Sequence, residues 1–81
     1  MRHRRQTYKI KVYCSGCSSQ LFKYEKEGKG HLVKCYLDNI VEDHTTIPMH
    51  CPDCDTLFAR EAVIHNRPAY KIIQGKVFVR R

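Results

Sequence analysis

Two cysteine pairs constrain this chain more than anything else in it. Cys14-Ser15-Gly16-Cys17 lies near the start, Cys51-Pro52-Asp53-Cys54 lies well downstream, and 33 residues separate them. In each pair the C-x-x-C spacing lets two thiolates from one tight turn reach a single ion, and two such turns supply the four sulfurs of a closed tetrahedral site. Neither turn binds strongly alone, so the chain between them is expected to fold back and bring them together. Cys14, Cys17, Cys51 and Cys54 are therefore the predicted metal ligands, and the predicted cofactor is one structural Zn²⁺, with iron as the alternative.

The chain is 81 residues long and has no Trp. Below roughly 70–80 residues an apolar core rarely suffices alone, and a metal or disulfides commonly add to it. Met1-Arg2-His3-Arg4-Arg5 is followed by alternating residues rather than by an apolar run, so no signal peptide is read. No stretch approaches the roughly 20 apolar residues of a membrane span. The expected location is the cytoplasm, where thiols stay reduced and paired C-x-x-C motifs hold metal more often than disulfides. Residues 1–6 are expected to form a flexible basic arm, and residues 7–81 a single domain.

Thr7 to Tyr13 alternates, with Tyr8, Ile10 and Val12 on one face and Lys9, Lys11 and Tyr13 on the other, which predicts a half-buried strand running into the first knuckle. Gly16 is expected to take positive φ within that knuckle, and Pro52 to fix the first turn position of the second. Residues 20–26 and 31–37 flank Glu27-Gly28-Lys29-Gly30 and are read as a hairpin. On its second strand Val33, Cys35 and Leu37 share one face. Asp38-Asn39 reads as a turn or a helix cap, and residues 40–46 as a loop. Pro48 makes residues 47–50 an extended or edge segment. Residues 55–64 suit either a helix or a strand. His65-Asn66-Arg67-Pro68 reads as a turn, and residues 69–73 and 77–80 as strands joined in a hairpin at Gln74-Gly75. In both halves a knuckle is followed by one or two polar residues and then Leu-Phe (Leu21-Phe22, Leu57-Phe58), a weak repeat that suits two knuckle-hairpin units around one ion. The expected fold is all-β, small and metal-stabilised, with at most one short helix.

Cys35, the fifth cysteine, shares an apolar face with Val33 and Leu37 and reads as a small core residue, the alternative being a replacement ligand or a reactive thiol. His50 adjoins Cys51, yet four sulfurs already complete a shell. A catalytic zinc keeps an open position and a four-cysteine site does not. With no nucleophile triad, metalloprotease helix or phosphate-binding loop in the chain, it is read as a non-catalytic binding module with no small-molecule substrate and no membrane partner.

The net charge of +7 is unevenly spread. Residues 1–34 hold nine Lys or Arg against two acids, residues 60–81 six against one, and residues 35–59 five acids and no Lys or Arg. This favours an anionic partner, RNA or DNA, contacted through Lys9, Lys11, Lys23, Lys26, Lys29, Arg80 and Arg81. The alternative is a protein partner docked on the edge near Ile47–Met49 or on the acidic middle. The aromatics that interleave with the lysines are needed chiefly for the core.

At Cys14-x-x-Cys17 and Cys51-Pro52-x-Cys54 the chain resembles the zinc ribbons, a broad group with rubredoxin-like members. Leu21-Phe22-Lys23-Tyr24, Gly28-Lys29-Gly30 and Lys34-Cys35 also resemble small prokaryotic zinc-ribbon proteins of unassigned function. The resemblance implies a structural zinc on the four cysteines, in a module that docks proteins or nucleic acids. Rubredoxin itself holds iron for electron transfer on the same four-cysteine arrangement. It usually places Gly after each second cysteine and has an acidic surface, whereas this basic chain has Ser18 and Asp55 there.

Overall fold

The computed structural model describes residues 7–28 and 32–81. Among these residues seven strands run in the order β1 (Thr7–Cys14), β2 (Gln20–Glu27), β3 (Lys34–Tyr36), β4 (Ile40–Asp43), β5 (Ala59–Ile64), β6 (Arg67–Ile72) and β7 (Val77–Arg80). A three-residue 3₁₀ turn, Leu37–Asn39, links β3 to β4 and is the one helical element among the described residues. The strands form two antiparallel sheets, one of four strands in the order β4-β2-β1-β7 and one of three in the order β3-β6-β5. The expected all-β class is what the chain adopts.

β1 keeps its predicted alternation. Ile10, Val12 and Cys14 are buried, while Lys9 and Lys11 face solvent. Its partner β2 is less regular, since Leu21, Phe22 and Tyr24 are all buried. The cause is a bulge: Val12 pairs with Phe22, but Tyr13 pairs with Gln20, so Leu21 is an extra residue and two consecutive side chains turn inward. Buried side chains of both sheets meet in one core. Phe22 of β2 packs on Phe58, just ahead of β5, with ring centroids 6.0 Å apart. The Tyr36 amide donates to the Tyr24 hydroxyl at 2.9 Å, tying β3 to β2 across the sheets.

Several local expectations are corrected. Residues 20–26 and 31–37 do not form a hairpin. β2 gives one edge to β1 and the other to β4, and residues 34–36 pair with β6 instead. The first knuckle is itself the turn of the β1–β2 hairpin, so β2's first edge is taken before the chain reaches Gly28. On the second segment Cys35 is buried, but Val33 and Leu37 are exposed. The expected loop at 40–46 contains β4, an edge strand with three of its four residues exposed. Residues 59–64 are strand, not helix, and join β6 through His65 and Asn66, both at positive φ (52° and 61°). That is the geometry of a two-residue mirror-image turn. The turn is tighter than expected, because Arg67 and Pro68 already belong to β6. Pro68 sits in a central strand without conflict, since β3 pairs only with residues 69–71 and leaves β6 locally at an edge. β6 and β7 are not a hairpin: the turn after Ile73, with Gly75 at φ 87°, carries the chain from one sheet to the other. No helix among the described residues is long and apolar enough to cross a membrane.

Candidate metal centre

The two C-x-x-C turns converge. The sulfurs of Cys14, Cys17, Cys51 and Cys54 all lie within 4.8 Å of one another. Across the knuckles Cys14 Sγ is 3.6 Å from Cys54 Sγ, and Cys17 Sγ is 3.4 Å from Cys51 Sγ. A tetrahedral ion with metal–sulfur bonds of about 2.3 Å needs sulfur–sulfur edges of roughly 3.8 Å. A disulfide needs about 2.05 Å, and all five cysteines are free thiols. The donor set thus fits one four-coordinate metal ion. Among the described residues, Cys35 Sγ and the rings of His44, His50 and His65 stand outside the group. The ring of His50 instead meets the Pro48 carbonyl at 2.9 Å.

The knuckles are built alike, residue for residue. In the first, the Ser18 amide donates to the Cys14 carbonyl at 2.7 Å and the Cys14 amide to the Ser19 carbonyl at 2.8 Å. In the second, the Asp55 amide donates to the Cys51 carbonyl and the Cys51 amide to the Thr56 carbonyl, both at 2.9 Å. In each pair the first cysteine is buried and the second exposed. A hydroxyl follows each exposed cysteine two residues on: Ser19 Oγ lies 3.4 Å from Cys17 Sγ, and Thr56 Oγ1 3.0 Å from Cys54 Sγ. Ser19 also donates to the Asp53 carboxylate, which joins the two knuckles outside the sulfurs. Sequence reasoning missed Ser19, Asp53 and Thr56. The recurrent hydroxyl two places after each C-x-x-C was the signal that could have found them.

The turn that closes each knuckle puts its strain at an unexpected place. Gly16 is not in the left-handed region; the residues there are Ser18 (φ 65°) and Asp55 (φ 62°), each following the second cysteine. The left-handed conformation costs a non-glycine residue about 1–2 kcal/mol, partly offset by the 0.4–1 kcal/mol that Gly loses through its freer unfolded chain. Ser18→Gly is therefore expected to stabilise the metal-loaded protein by a few tenths to about 1 kcal/mol. Ser18→Ala is expected to give no gain. Guanidinium unfolding midpoints of the three proteins check this, and a Gly variant less stable than the Ala variant would refute it.

The local environment splits the thiols. Hydrogen bonds from the Thr56 side chain and then its backbone pull Cys54 down to about 6, with further help from Cys14. Cys17 is lowered by the Ser19 hydroxyl and backbone. Cys51 is pushed up to about 11, mainly by burial. An ion that takes all four as thiolates must therefore displace a proton from Cys51, so metal binding releases protons and strengthens as pH rises. Cys35, the middle residue of β3 in the three-stranded sheet, is fully buried and is pushed up to about 12 by desolvation. It is a core thiol.

The basic residues singled out from the sequence do not form one patch. Lys9, Lys11, Lys23 and Arg80 point out from the four-stranded sheet. In register, Arg80 of β7 lies beside Lys11 of β1, and Lys11 beside Lys23 of β2. Lys26 pairs with Tyr8, on the opposite face, where the Arg81 guanidinium also sits 4.3 Å from the Tyr8 ring. Lys29 lies outside the described residues. Not foreseen was an aromatic pair on the outer face: Tyr13 and Phe78, neighbours across β1 and β7, stack with centroids 5.2 Å apart and planes 11° from parallel. No protein-family model, no curated protein and no solved structure matches this chain.

Proposed function

We propose that this chain is a zinc-stabilised, non-catalytic module that contacts nucleic acid through the outer face of its four-stranded sheet. The observation that carries the reading is the run of register neighbours Arg80, Lys11 and Lys23, with Lys9 two residues along β1. The metal supports this face at one remove. The Ser15 amide donates to the Lys76 carbonyl at 3.0 Å, and the Ser15 hydroxyl to the Gly75 carbonyl at 2.7 Å. The first knuckle thus grips the chain just ahead of β7, the strand that brings Arg80 beside Lys11. Four sulfurs complete a tetrahedral shell and leave no open position for substrate, which favours a structural ion. Zinc is preferred to iron because the chain is basic and lacks the glycines that follow the cysteine pairs of rubredoxins. We place this module, residues 7–81, in the reducing cytoplasm, where its free thiols persist.

Each neutralised phosphate contributes about −0.9 to the slope of log K against log salt on B-DNA, and about −0.7 on a single strand. Three or four cations predict a slope between about −2 and −4, and Lys11→Ala is expected to flatten it by about one. Fluorescence anisotropy over a salt series measures both. No binding to RNA or DNA at low salt would refute the reading. Metal analysis of protein purified without added metal is expected to find one zinc per chain; a red protein with a reversible one-electron couple would make it an iron protein instead. A protein-docking role is the second reading, favoured by Ile47, an apolar side chain 56% exposed just ahead of the second knuckle. A pull-down that survives nuclease treatment and is lost on Ile47→Asp would support it.

A further inference from the structure

Building on the nucleic-acid reading above, we infer that the outer face of the four-stranded sheet is a platform for single-stranded nucleic acid, with bases stacked on the Tyr13–Phe78 pair and phosphates held by Arg80, Lys11 and Lys9. The rings lie on the same face as these cations, and the Arg80 guanidinium stands 5.7 Å from the Phe78 ring. β7 is the edge strand of its sheet, so the side of Phe78 away from Tyr13 has no neighbouring strand. Both rings are only partly buried.

The acids on this face are held away from the aromatic end. Glu42 lies at the far edge in β4, 3.8 Å from Lys23 and 3.4 Å from His44. Glu25, beside Lys9, accepts the Thr7 hydroxyl at 2.9 Å, and Glu27 pairs with Thr7 at the end of the sheet farthest from Tyr13. The β1–β7 side is left cationic. Stacking on aromatic side chains requires bases that are not already stacked in a duplex, and it tolerates any sequence because every base has a π-face. A duplex is poorly served here. Four strands about 4.8 Å apart make a face roughly 14 Å wide. The major groove is about 12 Å wide, and the described residues offer no helix beyond a three-residue turn to enter it.

The test is anisotropy titration of the zinc-loaded full chain with fluorescein-labelled oligouridine and oligothymidine of about 12 nucleotides, within the site sizes of about 4–16 seen for sheet-based single-strand binders. An RNA hairpin and a DNA hairpin serve as duplex probes. The single strands are expected to bind at least tenfold more tightly than the hairpins at equal salt. Phe78→Leu and Tyr13→Leu, with amide spectra showing an intact fold, are expected to lose about fivefold or more in single-strand affinity at unchanged salt slope. Lys71→Ala, on the other sheet, is expected to leave affinity unchanged. If Phe78→Leu does not fold, Tyr13→Leu decides by the same loss of single-strand affinity at unchanged salt slope. Hairpins bound as tightly as single strands, or Leu variants with full affinity, overturn the platform while leaving nucleic-acid binding by the module standing. If none of the four probes binds at low salt, the platform and the reading beneath it fall together.

Discussion

Zinc-loaded protein treated with a strong chelator is expected to lose its dispersed amide spectrum, and so is Cys14→Ser or Cys51→Ser in the presence of zinc. Structural zinc in small peptides contributes about 10–16 kcal/mol near neutral pH. That exceeds the total of about 5–15 kcal/mol that holds a folded domain together. The geometry makes the loss global. Cys14 ends β1 and opens the β1–β2 turn, Ser15 beside it anchors the start of β7, and Cys51 brings in the chain that leads to Phe58 and β5. The same protein is expected to release metal as pH falls, because protons compete for the four thiolates. Burial, which pushes Cys51 up to about 11, favours its protonated form. Chelated protein that kept its native spectrum would show that the sheets hold without the ion. Cys35→Ala makes a useful comparison, since it removes a thiol from the core and none from the metal.

Phe58→Ala is expected to cost about 3–5 kcal/mol, the range for emptying a fully buried aromatic site. Phe58 is 1% exposed and meets Phe22, also 1% exposed, at the junction of the two sheets. A loss of that size takes a large share of the total and is expected to bring the guanidinium midpoint of the zinc-loaded protein down sharply. Val63→Ala, at a position 75% exposed, is expected to stay within about 0.5 kcal/mol of the parent. Equal midpoints for the two variants would mean that the Phe22–Phe58 contact does not hold the sheets together.

The Leu-Phe repeat was legible before any fold was known, and it marks this contact from both sides. Both phenylalanines reach the core, as the repeat suggests, but only one of the two leucines does: Leu21 is buried by the β2 bulge, while Leu57 is exposed. A sequence repeat records similar local turns. It does not record the bulge, which depends on how β1 and β2 are registered. The charge pattern was legible in the same partial way. It identified the cations, but alternation within β2 and at the C-terminus sends Lys23 and Arg80 to one face and Lys26 and Arg81 to the other.

The convergence of Cys14, Cys17, Cys51 and Cys54, the strand that enters the first knuckle and the all-β class followed from the chain alone, because they rest on local chemistry. Two thiols in one turn need only their spacing, and β1 needs only its period of two. The strand partners did not, because backbone hydrogen bonds carry no residue label. Which edge β2 offers to β1 or β4, and that β3 joins β6 rather than β2, is settled by which edges remain free and which faces can be buried once the sulfurs have met. The placement of Tyr13 beside Phe78 is of the same kind. They are 65 residues apart in the sequence, and only the pairing of β7 with β1 brings their rings together.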